Sequence, residues 1–338
     1  MRQKIMMSHQ VYPTYLHDCT SRMKRLSPGT SAMFEGEQFD VLELIGEGGF
    51  AKVFRCNSED GSTYAVKVES PSCRWEVYVC ELLRLRLPQW MLSGVMTVHD
   101  AYVYPNMSAI VYEYHAFGNL LDLANSLNSI KSTSSGLLCV YLSWEIARIV
   151  REVHRAQIIH ADLKPDNFMV LRKLSENSTI DELLDERSFT IKLIDWGRAI
   201  DMSALKGQTF TGRAGTECFD CFEMMDGRPW TYQIDFFGFI ATMHVLLFGS
   251  YMKTMRNEET RKYSMLSVIR RRCSQRDVLQ DVFQMCMNIE DCDHMPDWTT
   301  IINGFAESIR YALNNNRMEW KICAREFNEA VSRRCLKK

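Results

Sequence analysis

The octet His160-Ala161-Asp162-Leu163-Lys164-Pro165-Asp166-Asn167 sets a carboxylate, an ammonium and an amide close together in the chain. An Asp in such a loop can accept the proton of an attacking hydroxyl, and an Asn five positions later can offer an oxygen to Mg²⁺. Lys164 between them puts positive charge where a transferring phosphoryl group would sit. His160 reads as a hydrogen-bonding support beneath the loop rather than a proton shuttle. Three further patterns accompany the octet. Gly46-Glu47-Gly48-Gly49-Phe50-Ala51-Lys52-Val53 is glycine-rich, and glycine lets backbone N–H groups approach a phosphate chain. Alone, that pattern describes a plain hairpin turn equally well. A Rossmann fingerprint would need a helix next, whereas a strand pattern follows. In Ala65-Val66-Lys67 the lysine stands on a strand. It is either on an exposed face or at the offset of a lysine that holds the α- and β-phosphates of ATP. Such a lysine needs a carboxylate partner, and Glu76 and Glu81 on the following helix both qualify by position. Asp195-Trp196-Gly197 is a common surface turn in isolation. In order after Asp162 and Asn167, it supplies a second Mg²⁺ ligand, Asp195, with Gly197 permitting the turn.

The elements that must position these groups follow from periodicity. Phe39 to Ile45, Ala51 to Cys56 and Ser62 to Glu69 alternate as strands. Trp75 to Leu87 has helical spacing through Val79, Leu82, Leu83 and Leu87, and Pro88 stops it. Val95 to Tyr104 and Ala109 to Tyr114 are strand-like again. Past Gly118 the chain turns helical, with Leu138, Leu142, Ile146, Ile149 and Val153 on one face. Ile191 to Ile194 is a short buried strand, and Asp235 to Gly249 a nearly all-apolar, therefore buried, helix. Leu279 to Asn288, Trp298 to Asn314 and Glu319 to Arg334 complete the helices. Strands first and helices later give a two-lobed α+β protein. The expected division is an N-terminal extension over 1–38, a small antiparallel-sheet lobe with one main helix over 39–116, and a larger helical lobe over 117–338.

Composition narrows the function classes. The 338 residues are 46% hydrophobic and 24% charged, enough for a large core and against disorder throughout. Lys plus Arg (40) nearly balances Asp plus Glu (42), so bulk charge makes no case for nucleic acid or membrane binding. No apolar run reaches the ~18 residues of a membrane span, and the first thirty residues carry no signal-peptide pattern. Cys218-x-x-Cys221 has no second pair to complete a zinc site, so the twelve cysteines are expected as reduced thiols packed as small hydrophobes. The twenty Met residues are expected to fill gaps between helices, and Arg270, Arg271 and Arg272 to form a solvated helix end.

Gly46, Lys67, Asp162, Asn167 and Asp195 in this order resemble a eukaryotic protein kinase, over residues 39 to 338. The resemblance implies ATP and Mg²⁺ as cofactors. It places Asp162, Lys164, Lys67 and Glu76 in the catalytic set, and Gly46, Gly48, Val53 and Ala65 about the nucleotide. Glu113 to His115 would be the hinge whose backbone reads adenine, with Tyr112 beside it as gatekeeper. Asn167 and Asp195 would hold the metal. Glu223 stands where the activation segment ends, Asp235 resembles the buried Asp of the next helix, and Lys164 points to Ser/Thr specificity. Finer matches lie in Trp75-Glu76 soon after Lys67, Ala199-Ile200-Asp201-Met202, Pro229-Trp230-Thr231-Tyr232-Gln233-Ile234-Asp235, Leu247-Phe248-Gly249-Ser250-Tyr251-Met252-Lys253 and Asn288-Ile289-Glu290-Asp291-Cys292. These resemble the spindle-checkpoint kinases of the budding-uninhibited-by-benzimidazole family, and make Glu76 the better partner for Lys67. The family implies a C-terminal kinase domain of a longer protein, monomeric as a domain, active at kinetochores and in the nucleus during mitosis and also in the cytoplasm. Its implied partners are protein substrates, among them core-histone tails and checkpoint proteins, with no direct nucleic acid or membrane partner.

The departures carry consequences. Ala161 replaces the Arg that usually pairs with a phosphorylated loop, so loop phosphorylation should matter less. Glu217 would supply fixed charge in its place, and the 1–38 extension would hold the Glu76 helix inward. The insert from Leu174 to Ser188 is expected as an exposed hairpin loop. Trp196 and Ala51 replace the usual Phe and third Gly. Two other readings of the same residues are a pseudokinase scaffold for checkpoint complexes, since a fold can outlive its chemistry, and a small-molecule phosphotransferase of the same lobe plan.

Overall fold

The computed structural model describes residues 2–9, 11–130, 135–214, 216 and 218–335. The chain divides into two units, Met1–His115 with Asp195–Gly197, and Ala116–Ile194 with Arg198–Lys338.

The first unit is built on a seven-stranded sheet. Its strands are β1 (Leu16–Asp18), β2 (Thr30–Phe34), β3 (Glu37–Glu47), β4 (Ala51–Ser58), β5 (Thr63–Glu69), β6 (Val98–Val103) and β7 (Ser108–Glu113), in the order β1-β6-β7-β5-β4-β3-β2. Every pairing is antiparallel except β1 on β6. Alternation sorts the side chains by face. Phe39, Val41, Phe54, Cys56, Val66, Val68, Ala109 and Val111 point into one buried cluster. Val53, Ala65 and Lys67 fall on the opposite face by the same period of two.

Residues 1–38 supply more to this unit than their weak periodicity suggests. They form α1 (Arg2–His9), β1 and β2, and Cys19, Met23 and Phe34 join the sheet's core. Three of their side chains reach α2 (Trp75–Arg86) or its N-cap. The Arg2 guanidinium lies 5.1 Å from the Trp75 ring centre, Asp18 accepts from Arg74 at 3.1 Å, and the Tyr15 hydroxyl donates to Glu81 at 2.8 Å.

The second unit is mainly helical. It contains α3 (Leu120–Ser129), α4 (Ser135–Arg155), α5 (Ile180–Leu183), α6 (Phe222–Asp226), α7 (Gln233–Phe248), α8 (Arg276–Met287), α9 (Trp298–Asn315) and α10 (Arg317–Cys335). Short strand pairs join β8 (Ile158–Ile159) to β11 (Ile200–Asp201), β9 (Phe168–Val170) to β10 (Ile191–Leu193), and β12 (Thr254–Arg256) to β13 (Tyr263–Met265). Helix α7 is buried along nearly its whole length, as its apolar run requires. Its Gly238 meets the loop around Leu163 so closely that a Cβ there would sit 2.5 Å from the Leu163 carbonyl oxygen.

The insert from Leu174 to Ser188 joins the antiparallel strands β9 and β10, the largely exposed hairpin loop expected, but it is more ordered than its polarity suggested. It contains α5, started by a reciprocal Thr179–Glu182 capping box, and it buries Leu174 and Leu183. Asn328 on α10 bonds both the N–H and the carbonyl of Leu174 at 2.8 Å, and the Trp320 indole donates to the Ser175 carbonyl. Polar side chains here serve as backbone partners, which composition alone reads as solvent exposure.

Candidate active site

In the first unit, register assembles the expected groups. Gly46 pairs with Val53, Val53 with Lys67 and Lys67 with Ile110, a row crossing four strands. Ala65 stands two residues from Lys67 on the same face, opposite Tyr112. Gly46, Gly48 and Gly49 have no positive φ, and a Cβ on any of them would meet nothing closer than 3.6 Å. The fold itself does not demand glycine at these positions, whereas a phosphate chain approaching the backbone would. Glu113 ends β7, and its carboxylate lies 3.6 Å from His115 Nε2.

Lys67 is the hub. Its Nζ donates to Glu76 Oε2 at 2.5 Å and to Asp195 Oδ1 at 2.7 Å, and Glu69 Oε1 lies at 3.6 Å. Burial alone would lower the Lys67 pKa, but Glu76, Asp195 and Glu69 together hold it well above its ordinary value. The same cluster affects Glu69, which burial pushes up to about 7. Asp195 adopts a left-handed backbone (φ 66), a conformation Asp tolerates better than most side chains. Of the two carboxylates expected on α2, Glu76 is the partner. Glu81 instead bonds Arg84 and Tyr15. The second oxygen of Glu76 accepts from the Tyr112 hydroxyl at 2.7 Å. A cavity of about 1020 Å³ beside the glycine loop, bounded by Arg22, Arg25, Lys52, Phe54 and Val68, lies toward the other face of the sheet and takes no part in this cluster.

In the second unit the octet forms a braced loop. Ala161 is left-handed (φ 62), and the fully buried Asp235 carboxylate accepts its N–H and that of His160 at 2.8 Å each. Such strain persists only where the surroundings over-determine it. His154 adds a third contact to Asp235 at 2.9 Å. Its Nδ1 accepts from the Trp298 indole at 3.0 Å, so Nε2 carries the proton that Asp235 accepts. His160 is buried beneath the loop as expected, with Nδ1 facing the Asp162 N–H and Nε2 the Ile194 carbonyl. Lys164 Nζ donates to Asp162 Oδ2 at 2.8 Å. Asn167 Nδ2 donates to the Asp162 carbonyl at 2.8 Å, which leaves its Oδ1 as the atom that can ligate a cation.

Several described residues of the segment before Glu223 are anchored by hydrogen bonds. The Thr216 hydroxyl donates to Asp162 Oδ1 at 2.7 Å, with Lys164 Nζ at 3.1 Å. Phe210 and Trp230 exchange both backbone hydrogen bonds at 2.9 Å, and the Trp230 indole donates to Gly212. Glu223 is buried and its Oε1 lies 3.3 Å from Arg228 Nη2. The expected role of Glu217 lies outside the described residues. Cys218 is exposed and Cys221 buried, and among the described residues no group of three His, Cys, Asp or Glu side chains could hold a metal.

Within the first unit, Gly46, Val53, Ala65, Lys67, Glu76 and Asp195 are thus brought together. Within the second, Asp162, Lys164 and Asn167 are. Sequence reasoning missed Thr216, His154 and the Tyr112 bond to Glu76. No local pattern marks Thr216 or His154, because both act on partners far along the chain. Tyr112 was placed beside the hinge, but its donor role needs the strand register.

A family model described as the protein kinase domain matches residues 39–317. The mitotic checkpoint serine/threonine-protein kinase bub-1 of Caenorhabditis elegans is 44% identical over 326 residues, 94% of this chain and 32% of that protein. The mitotic checkpoint kinase BUB1 of Mus musculus is 34% identical over 76% of this chain and 24% of its own length. The spindle assembly checkpoint kinase BUB1 of Saccharomyces cerevisiae is 30% identical over 71% of this chain and 25% of its own. The chain therefore spans about a third or less of these relatives. Among solved structures, that of the BubR1 kinase domain is similar at 28% identity with a TM-score of 0.86, covering 98% of this chain and 97% of that one.

Proposed function

We propose that this chain, which belongs to the protein kinase domain family, transfers the γ-phosphoryl group of ATP to serine and threonine hydroxyls of proteins. The observation that carries the reading is the closed contact of Lys67 with both Glu76 and Asp195, at 2.5 and 2.7 Å. A buried lysine with that carboxylate set is built for phosphate and metal rather than for packing. Lys67 and the backbone N–H groups of the glycine loop would hold the phosphates. Val53 and Ala65 would give the adenine an apolar seat, and the backbone of Glu113 and His115 would read its edge. Asn167 Oδ1 and the Asp195 carboxylate are hard oxygen donors of the kind Mg²⁺ takes. When bound, the metal would neutralise charge that develops on the phosphates. Asp162 would orient the substrate hydroxyl and accept its proton, and Lys164 would lie against the transferred group.

The anchors on Thr216, Phe210 and Trp230 support a segment ordered without loop phosphorylation, consistent with Ala161 in place of an Arg. The contacts of the 1–38 region with Arg74, Trp75 and Glu81 support its holding α2 in place. The resemblance to checkpoint kinases, with which the mitotic checkpoint names of the relatives agree, makes core-histone tails, checkpoint proteins and the kinase itself the proposed substrates, at kinetochores and in the nucleus of mitotic cells, with a cytoplasmic pool. No helix among the described residues is long and apolar enough to cross a membrane.

The test is transfer of labelled phosphate from ATP to a core-histone substrate, wild type against Asp162→Asn. The expected result is incorporation that falls about 10³-fold in the variant. A wild type that binds Mg²⁺-ATP but transfers nothing, even with checkpoint proteins as substrate, would replace this reading with a nucleotide-binding scaffold.

A further inference from the structure

The hold on Glu76 is shared between two strands, and the two holds differ in kind. Lys67 on β5 takes one carboxylate oxygen, but the same ammonium also serves Asp195 and faces Glu69. In the proposed reaction its charge must turn toward phosphates as well. The other oxygen belongs to Tyr112 on β7, whose hydroxyl donates at 2.7 Å. Tyr112 lies directly opposite Ala65, two residues from Lys67, so the adjacent strands present both donors to one carboxylate. Glu76 is 1% exposed and Tyr112 6%, which leaves water little chance to substitute for either donor. Burial also drives the phenol well above its ordinary pKa, so it remains a donor across the working pH range.

We infer that Tyr112 is a positioning residue for phosphoryl transfer: its hydroxyl keeps the Glu76 carboxylate aimed at Lys67 while the Lys67 charge is drawn toward nucleotide. The inference rests on the kinase reading of the site and adds to it a donor that no phosphate competes for. A carboxylate held only by Lys67 would rotate or withdraw with α2 whenever that lysine is engaged elsewhere. A carboxylate held also by Tyr112 stays in register through nucleotide binding and release.

The test is a double-mutant cycle of Tyr112→Phe and Glu76→Gln, read as kcat/KM for ATP on the histone substrate, with thermal unfolding of each protein alongside. Phe keeps the ring and its packing and removes only the donor. The expected result is a loss of kcat/KM of about 10-fold for Tyr112→Phe in the wild-type background. In the Glu76→Gln background the same change should cost less than about two-fold, because the tyrosine acts through the glutamate. A purely structural role would move Tm alike in both backgrounds and give additive losses in kcat/KM, which would overturn the inference. A Tyr112→Phe protein within about two-fold of an active wild type would overturn it too. A wild type with neither turnover nor Mg²⁺-ATP binding would remove the kinase reading itself, and the inference with it. That outcome is visible in the wild type alone.

Discussion

The two units each organise a carboxylate, and they do so by different physics. In the first, one ammonium faces three carboxylates, Glu76, Asp195 and Glu69. This arrangement is short of positive charge. In the second, the Asp162 loop is organised by hydrogen bonds. Asp235 takes two backbone N–H groups and one imidazole, Asn167 takes the Asp162 carbonyl, and Lys164 and Thr216 take the Asp162 carboxylate oxygens. The difference teaches that the second cluster is complete from the chain's own donors. On the proposed reading, a cation from outside would complete the first. A divalent ion is the natural complement to a half-exposed Asp195 and a lysine already shared.

The largest effect that would break this contrast is at Asp235. An Asn there sets an NH₂ group against at least one of the donors that now point at the carboxylate. Asp235→Asn is expected to cost about 3 kcal/mol in urea unfolding, with loss of most turnover, because Ala161 loses the support for its left-handed backbone. A variant as stable as wild type would show that the loop does not depend on this buttress.

A smaller effect sharpens the first cluster. Glu69 is raised from an ordinary 4.5 to about 7, chiefly by burial. Between those values the folded state binds more protons than the unfolded one, so this group's contribution to stability is present below about 4.5 and is lost as pH rises through about 7. Glu69→Gln removes that loss. The variant should gain about 1 kcal/mol on wild type in urea unfolding at pH 8 and show little difference at pH 4. A gain that is equal at both pH values would mean that burial of the Glu69 charge is not its source.

Much of this was legible in the sequence. The octet, the Lys67 strand and Asp195 carry their proposed roles in local spacing, and alternation marks the strands that seat Val53 and Ala65, whereas β3 runs past the expected Ile45 to take in Gly46. What escaped is what depends on distant pairing. The 1–38 region lacks strong periodicity because β1 is short and earns its place by pairing with β6, with Leu16 beside Ala101. The Thr179–Glu182 capping-box spacing is a local signal in the insert, but its polar neighbours read as solvent exposure. Thr216 and His154 look ordinary until the fold brings them to Asp162 and Asp235.

The most direct measurement is calorimetric binding of ATP to the wild type with Mg²⁺ and with the metal chelated, repeated on Asp162→Asn. If the Lys67 cluster is short of positive charge, chelation should weaken ATP by about 10-fold or more, while Asp162→Asn leaves Mg²⁺-ATP affinity within about three-fold. Equal affinity with and without Mg²⁺ would contradict the account, since a cluster that accepts bare ATP does not need a cation for its carboxylates to share.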